Sequence, residues 1–255
     1  MSPSLSIKLP IFSIHGNHDD PTGLDMLSSL DQACINHYLN YFGKVKNVEK
    51  IEVTPVLFER GQTRIALYGI GHIKDERLNL AFEQKAIKFK RPLQNTDSWF
   101  NILVLHQNKY KGVMNGASRR CSLMESQFPS FFDLVIWAHE HECIPNVYEC
   151  AENGVHFLQP GSTVITSLCE AETKPKCAFL LKIKGQAFTS KALKIRSTRT
   201  FVHRTIDLKG SLLKPDRLEL IEKYVKEALD TVISQAEKER DDSWKSRSIR
   251  LDPDD

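Results

Sequence analysis

Long apolar runs are missing from this chain. No stretch approaches the roughly 20 consecutive apolar residues that a membrane-spanning helix needs, which excludes that class. Met1 to Lys8 lacks the apolar core of an export signal, so none is expected there. Cys-x-x-Cys is missing too. The six cysteines stand at 34, 121, 143, 150, 169 and 177 without zinc-ligand spacing. At 255 residues a disulfide framework is not needed to hold a core, and reduced thiols of an intracellular protein are expected. Bulk charge is nearly absent, since 35 Lys and Arg against 32 Asp and Glu leave +3. Acidic residues are absent altogether from Thr173 to Ile206, where nine basic residues stand: Lys174, Lys176, Lys182, Lys184, Lys191, Lys194, Arg196, Arg199 and Arg204. Two smaller basic clusters are Lys85, Lys88, Lys90, Arg91 and Lys109, Lys111, Arg119, Arg120. Such stretches suit a nucleic-acid backbone, whose attraction is electrostatic and indifferent to sequence. Solvated strand faces give the same pattern.

What is present is a recurring motif. Ile11-Phe12-Ser13-Ile14 is apolar and β-branched, and suits a buried strand. The chain then breaks at Gly16 into Asn17, His18, Asp19 and Asp20. An amide oxygen, an imidazole and two carboxylates are the ligand types that hard and borderline divalent cations take. The plain alternative is a strand followed by a polar turn, with Asp20 capping a helix that starts at Pro21. Ile102 to Leu105 is a second apolar run, ending in His106-Gln107-Asn108. Leu134 to Ala138 is a third, ending in His139-Glu140-His141-Glu142. On extended backbone His139 and His141 project to one side. One His-x-His is a weak signal. Three strand ends carrying histidine are a stronger one, because parallel α/β sheets gather such ends at one rim.

The order Gly-Asn-His-Asp, apolar-His, x-His-Glu-His resembles the latter part of the calcineurin-like metallophosphoesterase pattern. The stretches His15–Pro21, Asp75–Leu78, Trp99–Asn108, Asp133–Cys143 and Gln159–Ser162 resemble, more closely, the nuclease subunit of the meiotic-recombination and double-strand-break repair complex. The resemblance runs from about Leu5 to Arg240. It implies an α/β fold, a four-layer αββα metallophosphoesterase sandwich, followed by the start of a small α/β capping domain. It implies a manganese-dependent DNA nuclease, endonuclease and 3′-5′ exonuclease, at work in the nucleus in repair and meiosis. Its implied partners are DNA, a coiled-coil ATPase of the SMC type, a nibrin-type adaptor and a second copy of itself. By the resemblance, Asn17, His106 and His139 bind one Mn2+ and His141 the other, while His18 stabilises or protonates the transition state. Family members also carry Asp-x-His and Gly-Asp-x-x-Asp motifs before the Asn-His motif, and only ten residues, Met1 to Pro10, lie before Ile11 here. The expectation is therefore a chain without the family's first strands, binding at most one ion weakly and nearly inactive alone. Two other readings stay open. One is a non-catalytic module that binds DNA or a partner. The other is a different metallophosphoesterase such as a protein phosphatase, against which Asp19-Asp20, His106-Gln107-Asn108 and the capping-type helix argue.

Along the chain, Leu24, Leu27, Leu30 and Cys34 recur at helical spacing and predict a helix from Pro21, with Leu27 and Leu30 at a self-association surface. Val53–Glu59 and Thr63–Gly69 predict a hairpin about Arg60-Gly61. His72 is expected to be structural, and a short helix opens at Asp75. Lys109 to Arg120 reads as a loop beside the active rim, its four basic residues (Lys109, Lys111, Arg119, Arg120) being candidate DNA contacts. Ala178–Lys184 and Lys191–Arg196 read as a hairpin about Gly185-Gln186. A long helix is predicted from Leu218 to about Arg240. The expected domains are 1–204 and 205–255.

Overall fold

The computed structural model describes residues 9–112, 119–195, 199–211 and 213–247. Met1 to Lys8, the middle of the 109–120 loop and Arg196 fall outside them. The described residues form twelve strands and three α-helices. By contacts the chain divides into two compact units. The first is Met1–Glu140, Ile144–Gly161 and Phe179–Ala192, and the second is His141–Cys143, Ser162–Ala178 and Leu193–Asp255. This division departs from a boundary at 204. Within the second unit the Ile195 amide donates to the Lys176 carbonyl at 2.7 Å, tying 195 to the segment before the hairpin.

The first unit is built on a six-stranded sheet. Its strands are β4 (Val56–Arg60), β5 (Thr63–Ile70), β7 (Trp99–His106), β8 (Leu134–Ala138), β9 (Ile144–Glu149) and β10 (His156–Gln159), in the order β4-β5-β7-β8-β10-β9. The four central strands run parallel, and β4 and β9 close the edges antiparallel. Alternation along β7 sorts its side chains to two faces. Leu103 and Leu105 join Tyr68, Phe132, Val135 and Trp137 in one core, with Leu78, Ala81 and Phe82 of helix α2 (Asp75–Glu83). Phe100 and Ile102 join Leu134 and Leu158 in another. That second core is covered by Phe179, Leu181, Ile183 and Phe188 of the hairpin β11 (Cys177–Lys184) and β12 (Ala187–Lys194). Helix, sheet and hairpin give three layers of the expected sandwich within this unit. Lys182, Lys184, Lys191 and Lys194 stand on the exposed positions of the hairpin. Small parallel pairs β1 (Phe12–Ser13) with β2 (Asn40–Tyr41), and β3 (Ile51–Val53) with β6 (Ile87–Phe89), complete the unit.

The hairpin about Arg60-Gly61 forms as expected, with Gly61 at φ 60°. The first helix does not. Helix α1 is Ser29–Ile35, eight residues later than the Pro21 start. Gly23 (φ 77°) and Met26 (φ 51°) put left-handed backbone where that helix would begin. Ser28 and Asp31 then form a capping box that fixes the true start. Asp20 is not a helix cap, and its carboxylate faces His15 and His72. Leu27 is exposed and Leu30 half-buried. In the second unit, helix α3 runs Leu218–Arg247, longer than predicted. No described helix is long and apolar enough to cross a membrane.

Candidate metal centre

The sheet delivers two of the predicted ligands side by side. The register of β7 on β8 sets His106 opposite Ala138, so His139 follows directly at the same rim. Below them the Trp137 indole donates to the Gln107 carbonyl at 2.8 Å, and the Gln107 amide donates to the Ile73 carbonyl at 2.8 Å. These bonds lock the turn after β7. His139 has φ 83°, a left-handed conformation that a β-carbon disfavours. Such strain costs on the order of 1–3 kcal/mol and persists only where surrounding contacts enforce it.

Asn17 arrives from the loop after β1. The Gly16 amide donates to the Asp19 carboxylate at 3.0 Å and closes that loop. A β-carbon on Gly16 would lie 2.8 Å from His106 Cε1, so only glycine lets the loop come this close. The result is a convergence of three donor atoms. His106 Nε2 lies 3.0 Å from Asn17 Oδ1 and 3.1 Å from His139 Nδ1. His139 Nε2 lies 2.9 Å from Asn108 Oδ1. Burial, with the repulsion of His139 and other histidines including His18, holds the His106 imidazole down at about 4. It is neutral at ordinary pH, with a lone pair to give.

This arrangement fits a divalent ion. Donors on adjacent corners of an octahedron with arms of roughly 2.1 Å stand about 3 Å apart, the spacing seen from His106 to Asn17 and from His106 to His139. Among the described residues there is no group of three or more His, Cys, Asp or Glu able to hold a metal. The present set pairs two imidazoles with an amide instead.

His141 belongs to the second unit, and its partners there are well defined. Its Nδ1 lies 2.8 Å from the buried Glu172 carboxylate. A carboxylate only accepts, so Nδ1 carries a proton, and in the neutral ring Nε2 is the acceptor. The Thr166 hydroxyl and amide and the Ser162 hydroxyl also donate to Glu172, and buried Lys176 pairs with it. Burial pushes the Glu172 carboxyl up. The Lys176 ammonium and the hydrogen bonds from Thr166 and His141 outweigh it and hold the group well below the usual carboxylate range. His18 is exposed beside Asn17.

The four candidate DNA contacts differ in their surroundings. Lys109 turns inward, where it pairs with half-buried Glu125 at 2.6 Å and lies over the half-buried Tyr148 ring. Lys111 is half-exposed and pairs with Glu140. Arg120 is exposed, while the side chain of Arg119 lies outside the described residues. Residues that sequence reasoning left without a role include Asn108, Asp75, Glu172 and buried His15, whose Nδ1 lies 2.7 Å from the Tyr41 hydroxyl. The His106-Gln107-Asn108 run held a signal for Asn108. None marked Glu172.

Residues 3–143 match the calcineurin-like phosphoesterase family. Double-strand break repair protein mus-23 of Neurospora crassa is 42% identical over 206 residues, covering 81% of this chain and 27% of the relative. Double-strand break repair protein MRE11 of Rattus norvegicus is 39% identical over 242 residues, covering 93% and 34%. Double-strand break repair protein mre-11 of Caenorhabditis elegans is 46% identical over 204 residues, covering 78% and 28%. The chain thus spans a third or so of the length of these relatives, between 27% and 34%.

Proposed function

Because the chain belongs to the calcineurin-like phosphoesterase family, which binds divalent metal, we propose that it is the nuclease segment of a double-strand break repair protein. Its substrate is the phosphodiester backbone of DNA, its metal is Mn2+ and its compartment is the nucleus. The observation that carries this reading is that His106 Nε2 meets both Asn17 Oδ1 and His139 Nδ1, at 3.0 and 3.1 Å. The likeness to repair proteins at 39–46% identity supports the substrate.

Asn17 Oδ1, His106 Nε2 and His139 Nδ1 would hold one ion, and His141 would offer its Nε2 to another. A bound divalent ion polarises the phosphate and lowers the pKa of a water. The protein's own residues do the rest. Mixed amide and imidazole donors suit Mn2+ as well as neighbouring transition ions. The depressed His106 stays uncharged at ordinary pH, so one ring nitrogen has a lone pair to give. His18, next in sequence to Asn17, transfers a proton at the leaving oxygen. The exposed Lys182, Lys184, Lys191 and Lys194 attract the backbone. We assign a second copy of the chain to the exposed apolar surface of Leu24, Met26, Leu27 and Ile35. The coiled-coil ATPase and nibrin-type adaptor remain proposed partners on the family likeness.

The test is cleavage of labelled duplex DNA by the purified chain, with Mn2+ binding titrated in parallel. His18→Ala is expected to lower cleavage about 10²–10⁴-fold while leaving Mn2+ affinity unchanged. His106→Ala should lower both. Cleavage that survives His18→Ala overturns the catalytic role. Mn2+ and DNA binding without any cleavage favours the non-catalytic reading.

A further inference from the structure

Asn108 sits between a carboxylate and a histidine. Its Nδ2 donates to Asp75 Oδ2 at 2.7 Å, and its backbone amide reaches Asp75 Oδ1 at 3.3 Å. Its Oδ1 faces His139 Nε2 at 2.9 Å. These three contacts permit one reading of the hydrogens. A carboxylate only accepts, so the amide must turn its NH2 to Asp75. The reverse orientation would set two acceptors 2.7 Å apart. With the NH2 so fixed, the amide oxygen faces His139, and His139 Nε2 must carry the proton. Neutral imidazole has one, so Nδ1 is bare. That bare nitrogen faces His106 Nε2 at 3.1 Å.

We propose that Asp75 and Asn108 are positioning residues, which hold His139 in the tautomer that turns Nδ1 toward Asn17 and His106. The proposal rests on the reading of that trio as a metal centre. Its logic follows from the fold. Asp75 is the first residue of α2, whose N-cap residue Lys74 makes no side-chain cap, and an anion is favoured at that helix end. Instead of closing its own helix, the Asp75 carboxylate reaches across to the turn after β7. Helix α2 is packed by Leu78, Ala81 and Phe82 into the core under the sheet, so the carboxylate is held on a rigid element. His139 follows β8 with left-handed backbone, and Asn108 follows β7, the strand paired with β8, so its amide stands within reach of the ring. An outer partner of this kind fixes both the tautomer and the orientation of a metal-binding imidazole.

The test uses the full chain labelled with ¹⁵N-histidine, without metal, and reads the tautomer of His139 by long-range ¹H–¹⁵N correlation. His139→Ala assigns the signal. Wild type is expected to carry the proton on Nε2. Asp75→Ala and Asn108→Ala are expected to mix the tautomers or shift the proton to Nδ1. Exchanging the pair, Asp75→Asn with Asn108→Asp, keeps a donor toward one side and an acceptor toward His139, and should restore Nε2–H. Mn2+ titration of the same proteins should show affinity lowered about 10–100-fold in the alanine variants and regained in the exchange. A proton on Nδ1 in wild type overturns the proposal. So does a tautomer unmoved by Asn108→Ala, or an exchange that restores nothing. If wild type holds Nε2–H and yet takes up no Mn2+, the metal reading fails while the positioning stands.

Discussion

Gly16 shows how much of this site is decided at single positions. A β-carbon there would meet His106 Cε1 at 2.8 Å and Nε2 at 3.0 Å. Gly16→Ala must push either the ring or the Asn17 loop away, so Mn2+ affinity should fall about tenfold or more with little change in the circular dichroism spectrum. Unchanged affinity would mean that loop and ring are not held together in solution. His106 itself predicts a pH dependence. Its folded value of about 4 lies below the ordinary 6.5. Above pH 6.5 both folded and unfolded states are neutral there and stability is flat in this group. As pH falls from 6.5 toward about 4, the unfolded chain takes up a proton that the folded chain refuses, and stability is lost. Burial of His15 lowers that imidazole as well and acts with the same sign. Urea unfolding of metal-free protein across this range should show the slope, and His106→Gln should flatten it. An identical slope in the variant would assign the effect elsewhere.

At the scale of elements, Ser28 joins helix α1 to the site. Its amide donates to Asp31 at 2.7 Å, and its hydroxyl accepts from Leu30 and donates to the Asp19 carbonyl at 2.7 Å. Ser28→Ala is expected to cost about 1–2 kcal/mol in equilibrium unfolding, and to loosen the loop that presents Asn17. A cost near zero would show that water replaces both bonds of the hydroxyl. The same element marks where sequence reasoning went astray. Apolar recurrence at Leu24, Leu27, Leu30 and Cys34 suggested one helix from Pro21, yet helical residues begin at Ser29. Periodicity reports which positions suit a face. It does not register that Gly23 and Met26 are needed for a left-handed turn. The strands were more legible, because β7 and β8 alternate or run apolar between clear breaks. The hairpin about Gly185-Gln186 was legible for the same reason, although β12 opens at Ala187 rather than Lys191.

For the molecule as a whole, a ligand bound only by the folded state raises its stability, by about 2.7 kcal/mol at a hundredfold excess over Kd. Mn2+ should therefore raise the melting temperature of the chain in a concentration-dependent way, and His106→Ala should abolish the rise. An equal rise in the variant would place the binding away from this centre. The amino-acid sequence by itself determined that three apolar stretches run on into histidine, that turns fall at Gly61 and Gly185, that a long amphipathic helix begins near Leu218, and which family motifs are present. These are local properties, set by spacing of two or of about four residues and by backbone freedom at glycine. Only the tertiary structure decided that Asn17 meets His106 across 89 residues, that Lys109 turns inward to Glu125, and that Asn108 is oriented by Asp75. Those contacts depend on the register of β7 on β8 and on where α2 packs. A hydrogen bond forms between atoms that the fold brings together, and no local pattern records which atoms those are.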